Sequence, residues 1–379
     1  LKKQDKIYYG VLGVIFIVFI ISIGIFEFTK QDKTFSDLEN RMLAQKPKFS
    51  FNNLINEDLT KDYEKYISDQ FPFRNFWVKI KAKNEVLLGK KDNNGVFIGK
   101  DEYLIENFKG EEEKSICNKV EYIKDFCKKN PNVKKYFMLV PNSTKILQEK
   151  LPQNAPVKDQ YEYLNKFEEA LKYDITFVPL KRIFEEKKNE YIFYKTDHHW
   201  TTKGAYYAYV EFAKQVGIRP LENHEFNLMR KVNGFYGTLY SKVLLNSIKS
   251  DTIELFETKE IQKYTVKIDN EPEKQSIYNL DSLKKRDKYS VFFGGNHGTV
   301  KIRNEKSQIN KNILIIKDSY ANSFVPYLIP HYNEVTMIDL RHYRGNLSDY
   351  IKENNIDEIL LLYNINSFSN DNSIKNIKW

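Results

Sequence analysis

From Ile7 to Ile25 the chain runs nineteen residues without a single charge. As a helix rising about 1.5 Å per residue, such a run is long enough to cross the hydrocarbon of a bilayer. It exceeds the roughly 7–15-residue core of a cleaved signal and no A-x-A-like site follows it, so an uncleaved anchor is expected. Lys2, Lys3 and Lys6 precede the run, whereas Lys30 and Lys33 beyond it are interleaved with Asp32 and Asp37. That bias predicts a cytoplasmic N-terminus and an extracytoplasmic remainder, a single-pass protein of the cell membrane.

The rest of the 379 residues must fold in water, and with 41% of the chain hydrophobic there is ample material for a core. The net charge of +9 contains no run of six like charges and accompanies no nucleic-acid motif, which argues against a nucleic-acid partner. It fits a solvated lysine-rich face, or attraction to anionic lipid headgroups or acidic wall polymers. Cys117 and Cys127 lie ten residues apart in one helical stretch. At about 15 Å along the axis they are too distant for a mutual disulfide.

Periodicity divides the chain into residues 1–28, a cytoplasmic stub and anchor, residues 29–110, a largely helical membrane-proximal segment, and residues 111–379. In the second, Leu59, Tyr63, Tyr66 and Ile67 recur at helical spacing within an amphipathic region from Leu54 to Leu88. Val96-Phe97-Ile98-Gly99 reads as a short strand with its turn. The third segment alternates helix and strand, opening with a helix near 111–129 and the strand Tyr136–Val140, which Pro141 stops. Helices near 158–172 and 200–216 follow, the second closed by Gly217. Strands at 176–179, 313–316, 334–338 and 358–363 complete an α/β pattern with a parallel sheet, interrupted by a β-rich insertion at about 228–305.

In open parallel sheets, reacting groups gather beyond the carboxyl ends of the strands. Strand 313–316 runs into Lys317-Asp318-Ser319-Tyr320, which sets a serine at a strand-to-helix turn with its N–H free. Such a serine is either a nucleophile or an ordinary N-cap. The Tyr191–Tyr194 run, read as a strand, leads into Thr196-Asp197-His198-His199-Trp200. If that segment is extended, Asp197 and His199 face one side and His198 the other, so the carboxylate can orient the His199 imidazole. His198 then reads as a core histidine, and no recognised ligand spacing completes a metal site around the pair. Asn364, directly after strand 358–363, is a candidate oxyanion donor. The Gly294-Gly295-Asn296-His297-Gly298 cluster is a turn or a loop near Ser319, which makes Asn296 a further candidate.

The Asp197-His198-His199-Trp200 and Asp318-Ser319-Tyr320 strings do not stand alone. With Gly95–Lys100, Val140-Pro141-Asn142 and Phe235-Tyr236-Gly237-Thr238-Leu239-Tyr240 they resemble the DHHW proteins, relatives of the alginate O-acetyltransferases of the AlgJ and AlgX type. The resemblance extends from about residue 35 to the end. It implies an SGNH-hydrolase-like three-layer fold, circularly permuted, in which Ser319, His199 and Asp197 are the catalytic triad and Asn364 matches the SGNH asparagine. Asp339-Leu340-Arg341 stands where that family has its glycine, which brings Arg341, with Tyr320, among the oxyanion or substrate-binding candidates. With this sequence ending at Trp379, the carbohydrate-binding module that AlgX-type relatives carry after the catalytic domain is not expected here.

By the same resemblance the expected activity is O-acetylation of a cell-surface or secreted polysaccharide through an acyl-serine, with no cofactor. A multipass membrane acyltransferase of the MBOAT type is the implied partner supplying acetyl from inside. The alternatives are an acetyl esterase with the same triad, or a non-catalytic binding component of an envelope assembly.

Overall fold

The computed structural model describes residues 3–48, 58–259 and 263–378. The apolar run lies in a helix, Lys3–Thr29, whose stretch Ile7–Phe26 has mean hydropathy 2.7 and is nowhere buried in protein. By length and composition it can cross a membrane. The chain divides into two compact units, Leu1–Lys90 and Lys91–Trp379.

In the first unit the amphipathic region becomes two helices, Asp58–Gln70 and Arg74–Leu87, parted at Phe71-Pro72-Phe73. The expected start of that region at Leu54 lies outside the described residues. A polar clamp fixes the turn between the helices: Arg41 and Arg74 both reach Asp69, and Gln70 donates to the carbonyls of Lys33 (2.9 Å) and Ala44 (3.0 Å).

Residues 91–110, expected with the membrane-proximal segment, belong to the second unit. There Asp92–Asn93, Val96–Ile98 and Leu104–Glu106 form a three-stranded antiparallel sheet. Backbone pairing explains the reassignment, since the Leu104 N–H donates to the Lys195 carbonyl at 2.8 Å and Thr144 Oγ1 to the Glu106 carbonyl at 2.7 Å.

The main sheet has seven strands in the order Tyr264–Ile268, Thr299–Asn304, Tyr332–Ile338, Ile309–Lys317, Glu358–Asn364, Lys134–Val140, Thr176–Phe177. The last five run parallel, but the first two pair antiparallel, so the sheet is mixed rather than parallel. Part of the expected insertion is thus an edge of the main sheet, and the remainder, Phe226–Phe235 and Asp251–Thr258, makes a separate antiparallel pair. Such mixed sheets arise where an antiparallel hairpin-type edge closes a parallel centre.

Period-two alternation builds a core on each face. Ile313, Ile315, Met138, Leu360 and Leu362 enter one core with Phe212 and Ala208 of the helix Thr202–Val216. Leu314, Ile316, Phe137, Leu139, Ile359 and Leu361 enter the other with Ile123 and Phe126 of Glu113–Lys129 and Phe167 of Gln160–Leu171. The chain continues from Ile309–Lys317 to the strand on one side of it, Tyr332–Ile338, and only then to Glu358–Asn364 on the other. That reversal opens a crevice at the carboxyl end of Ile309–Lys317, where Ser319 lies.

Candidate active site

Ser319 follows the central strand by two residues and is half-buried, in a turn built by the buried Asp318. The Asp318 carboxylate accepts from the Tyr320 N–H at 2.9 Å and, through its other oxygen, from the Asn364 N–H (2.8 Å) and side-chain amide (3.0 Å). Burial raises its pKa against those donors. Among the described residues nothing accepts the Ser319 N–H. The helix expected from Tyr320 spans only Ala321–Phe324 before a 3₁₀ turn at Val325–Tyr327, because Pro326 cannot continue the ladder.

The Tyr191–Tyr194 run is no strand: it makes a single bridge, Phe193 to Trp200, which closes a loop around Asp197 and His199. Asp197 Oδ1 accepts from the backbone N–H of His199 at 3.0 Å and meets His199 Nδ1 at 2.5 Å. The two side chains therefore converge through a tight local turn, and not through the i, i+2 facing of an extended segment. His199 Nε2 reaches Ser319 Oγ at 2.7 Å, across 120 residues of sequence. Hydroxyl, imidazole and carboxylate form one unbroken line, the geometry for taking a proton from Ser319.

Four further contacts hold that line, and the sequence reading assigned none of them. Asp197 Oδ2 accepts from the Thr238 N–H at 2.8 Å and from Thr238 Oγ1 at 3.2 Å, where the Phe235–Tyr240 motif turns into a short helix. Asp251 collects the N–H groups of Lys195 (2.9 Å) and Thr196 (2.7 Å), together with the hydroxyls of Thr196 and Tyr191, and so cradles the loop just ahead of Asp197. Tyr289 stacks on the His199 ring with centroids 3.8 Å apart and donates to the Ser319 carbonyl at 3.1 Å. Trp200, wholly buried, donates to Ser323 Oγ at 2.9 Å and to the Tyr320 carbonyl at 3.2 Å, tying the histidine loop to the serine turn. Thr238 belongs to a string already singled out, and Trp200 ends the histidine string. No local pattern marks Asp251 or Tyr289, because both lie in the irregular insertion.

His198 is half-buried with its ring against that of His199, centroids 3.9 Å apart, and its Nδ1 2.7 Å from Thr238 Oγ1. Asp197, His198 and His199 each bring one ligand-type atom within 4.8 Å of the others. The carboxylate and His199 are nevertheless engaged with each other, with Thr238 and with Ser319.

Asn364 departs from its expected role. Both hydrogens of its side-chain amide are engaged, one by Asp318 and one by Ser367 Oγ at 2.7 Å, so it positions the serine turn and has no donor left for an oxyanion. The shift has a simple cause: Asn364 is the N-cap of the helix Ile365–Asn370. Arg341 grips Asp339 at 2.8 and 2.6 Å, in a pair whose mutual hydrogen bonding pushes the guanidinium pKa up. Tyr320 is buried with its hydroxyl on the His198 carbonyl. Asn296, exposed on its glycine turn, accepts through Oδ1 from Lys317 Nζ at 2.9 Å and from Asn322 Nδ2 at 3.1 Å. Lys317 is buried, and burial, opposed by Asp339, brings its pKa down to about 8.

Electrostatics favour the same proton transfer. Burial disfavours charge on Asp197, but His198, His199 and the Thr238 N–H outweigh it and hold the carboxyl well below the usual carboxylate range. Burial and the neighbouring His198 lower His199 from 6.5 to about 4 against the pull of Asp197. A neutral His199 accepts protons, and lowering its pKa keeps it neutral until the medium is more acidic than its ordinary titration. The acid limb of kcat/KM is therefore expected below pH 6.5, toward about 4. A pH–rate profile on the purified protein checks this, and a limb at or above the ordinary imidazole value would contradict it.

Comparison with known proteins supplies the relatives. A family model described as DHHW protein matches residues 128–338. A probable alginate O-acetylase AlgJ of Pseudomonas syringae pv. tomato is 25% identical over 176 residues, 43% of each chain, so the match spans less than half of that relative. Among solved structures, a DHHW family protein from Eubacterium siraeum superposes with a TM-score of 0.65 at 25% identity, over 76% of this chain and 96% of that one. Bacillus cereus PatB1, solved with a sulfonyl adduct, superposes with a TM-score of 0.63 at 23% identity, over 75% of this chain and 98% of that one. The PatB1 likeness establishes the fold alone.

Proposed function

This chain belongs to the DHHW protein family, and from that premise we propose that it is an O-acyltransferase, acting outside the cytoplasm on a polysaccharide through an acyl-serine. The observation that carries the reading is the line Ser319 Oγ, His199 Nε2, His199 Nδ1, Asp197 Oδ1, with contacts of 2.7 and 2.5 Å. Acetyl as the group transferred is supported by the relative named as a probable alginate O-acetylase. We read the fold as SGNH-hydrolase-like and circularly permuted, since the histidine string precedes the serine string in the chain.

In the first half-reaction His199 takes the Ser319 proton as the hydroxyl oxygen attacks the acyl carbonyl carbon of a donor ester. The tetrahedral oxyanion accepts from the Ser319 N–H. Collapse breaks the bond to the donor oxygen, which leaves with the proton held by His199, and Ser319 carries the acyl group. In the second half-reaction a sugar hydroxyl loses its proton to His199, attacks the acyl-serine and leaves as the ester, and the proton returns to Ser319. Asp197 stabilises the imidazolium in both halves. Tyr289, packed flat on the ring, restricts its rotation.

Transfer must outrun hydrolysis by water at about 55 M, and a bound sugar hydroxyl can do so because well-oriented groups reach effective molarities of about 10⁵ M or more. With a chromogenic acetyl ester as donor, adding a matching envelope oligosaccharide should therefore yield acetylated sugar and reduce acetate released per turnover. Free acetate alone across a panel of glycans, with deacetylation of acetylated polymers, would replace this reading by an esterase.

The apolar helix, with Lys2, Lys3 and Lys6 ahead of it, supports the proposed location. Outside the cytoplasm no acetyl-CoA is at hand, and a membrane acyltransferase of the MBOAT type is the partner we propose to deliver acetyl. Protease added to intact protoplasts should digest the larger unit, and digestion only after lysis would reverse the orientation.

A further inference from the structure

We propose that the turn Phe71–Phe73 and the first turn of the helix Arg74–Leu87 form a second membrane contact, an aromatic wedge seated in the lipid interface beside the anchor helix. The inference rests on the reading that Ile7–Phe26 spans the bilayer, because that span sets the depth of everything attached to its end. Twenty apolar residues match the thickness of the hydrocarbon layer, so Phe26, the last of them, lies at its boundary. The Phe73 ring stacks on Phe26 with centroids 5.2 Å apart and planes 25° apart. It therefore sits at the same depth.

The neighbouring rings continue the surface. Phe76 and Trp77 meet edge to face at 5.2 Å and, with Phe73, stay exposed to 56, 42 and 69%. Three large aromatics left open within five residues are costly in water, and aromatic rings with a polar edge concentrate at the headgroup level of membranes. The backbone favours the same outcome. Phe73 holds φ at +55°, a left-handed conformation that bulky residues rarely adopt. Such strain persists where surrounding contacts dictate it, and here the polar clamp of Arg41, Arg74, Asp69 and Gln70 grips the turn from the protein side, leaving the rings outward.

A cleft of about 580 Å³ adjoins the rings, lined in part by apolar side chains such as Phe26, Phe35 and Phe73 and in part by polar ones, Lys33, Asp37 and Asp69 among them. Its apolar walls suit an acyl chain, and the lysine suits an anionic headgroup. Lys81 and Lys83, exposed further along the helix, add to that attraction. Continuity with the span is what selects lipid over a soluble partner as the occupant.

The test uses the full chain in vesicles of phosphatidylcholine and phosphatidylglycerol, with bromine carried on the acyl chains either near the headgroup or near the chain ends. Subtracting the Trp77→Phe protein isolates the emission of Trp77 from that of the other tryptophans. Headgroup-proximal bromine should cut Trp77 emission by roughly half, as for a ring buried in the interface. Chain-end bromine should quench it less. A Phe16→Trp, Trp77→Phe protein reports on the span itself and should be quenched most by chain-end bromine. Quenched Phe16→Trp with unquenched Trp77 overturns the wedge and leaves the anchor standing. Unquenched Phe16→Trp overturns the span, and the wedge with it. A Phe73→Ser, Phe76→Ser protein should lose Trp77 quenching while keeping that at position 16, and unchanged Trp77 quenching there would assign the contact to Trp77 alone and overturn the wedge.

Discussion

Ser319→Ala is expected to lose acyl transfer and acetate release together, by about 10⁴-fold or more, because the step that forms the acyl intermediate no longer has an attacking atom. The fold should survive. The Ser319 side chain makes one hydrogen bond, to His199, while the turn itself is held by Asp318, Asn364 and Tyr320 through groups the substitution leaves in place. Turnover of a chromogenic acetyl ester, mass spectrometry for the acylated protein and a thermal melt measure the three consequences. An acylated Ser319→Ala protein would move the nucleophile elsewhere in the chain and dismantle the mechanism.

Gly237→Ala is expected to come close to that loss although it touches no substrate. A methyl group at Gly237 would lie 2.2 Å from both Cβ and Oδ2 of Asp197 and 2.6 Å from its Cγ, inside any permitted contact. Gly237 is not there for its backbone freedom, since its φ of −81° suits any residue. It is there because the aspartate occupies the space a side chain would need. The carboxylate must retreat, and retreat breaks its hydrogen bonds to the Thr238 N–H and to His199. Removing the orienting carboxylate from such a triad costs about 10⁴ in kcat, so kcat/KM should fall by a factor of that order. Placing Gly237→Ala on an Asp197→Gly background, which removes the Cβ as well as the carboxylate that the methyl would meet, separates this cause from general damage. Groups acting as a unit are strongly non-additive, so the second substitution should add little. Two losses that multiply would mean Gly237 acts through something other than Asp197.

Local pattern alone was sufficient for several parts of this molecule. Nineteen uncharged residues specify the N-terminal helix whatever surrounds it, because a run so long and apolar has few other ways to satisfy its backbone. Unbroken apolar runs within 313–316 and 358–363 mark strands buried on both faces, and Gly217 closes the helix Thr202–Val216 by cap chemistry that acts within a few residues. The pairing of Asp197 with His199 was also legible, because the two are neighbours in the chain, although a tight turn and not an extended strand brings them together.

What lies beyond that reach is whatever depends on chain segments meeting from afar. The bond between His199 and Ser319 spans 120 residues, and the cradle that Asp251 makes for Thr196 spans 55. Tyr289 meets the Ser319 carbonyl from 30 residues upstream, out of a region with no periodic signal. Asn364 could be read as an oxyanion donor from its strand-end position, and only the folded chain settles its amide hydrogens on Asp318 and Ser367. A side chain with several possible partners takes those the fold delivers to it, and that delivery is set by sheet order. The antiparallel strands Tyr264–Ile268 and Thr299–Asn304 look like a separate insertion in sequence, yet they complete the edge of the main sheet because the open edge of Tyr332–Ile338 offers unpaired backbone groups. Sequence determined which residues could react and which segments could form helix or strand; tertiary structure decided which of those residues share a hydrogen bond, because that depends on strand order and not on strand content.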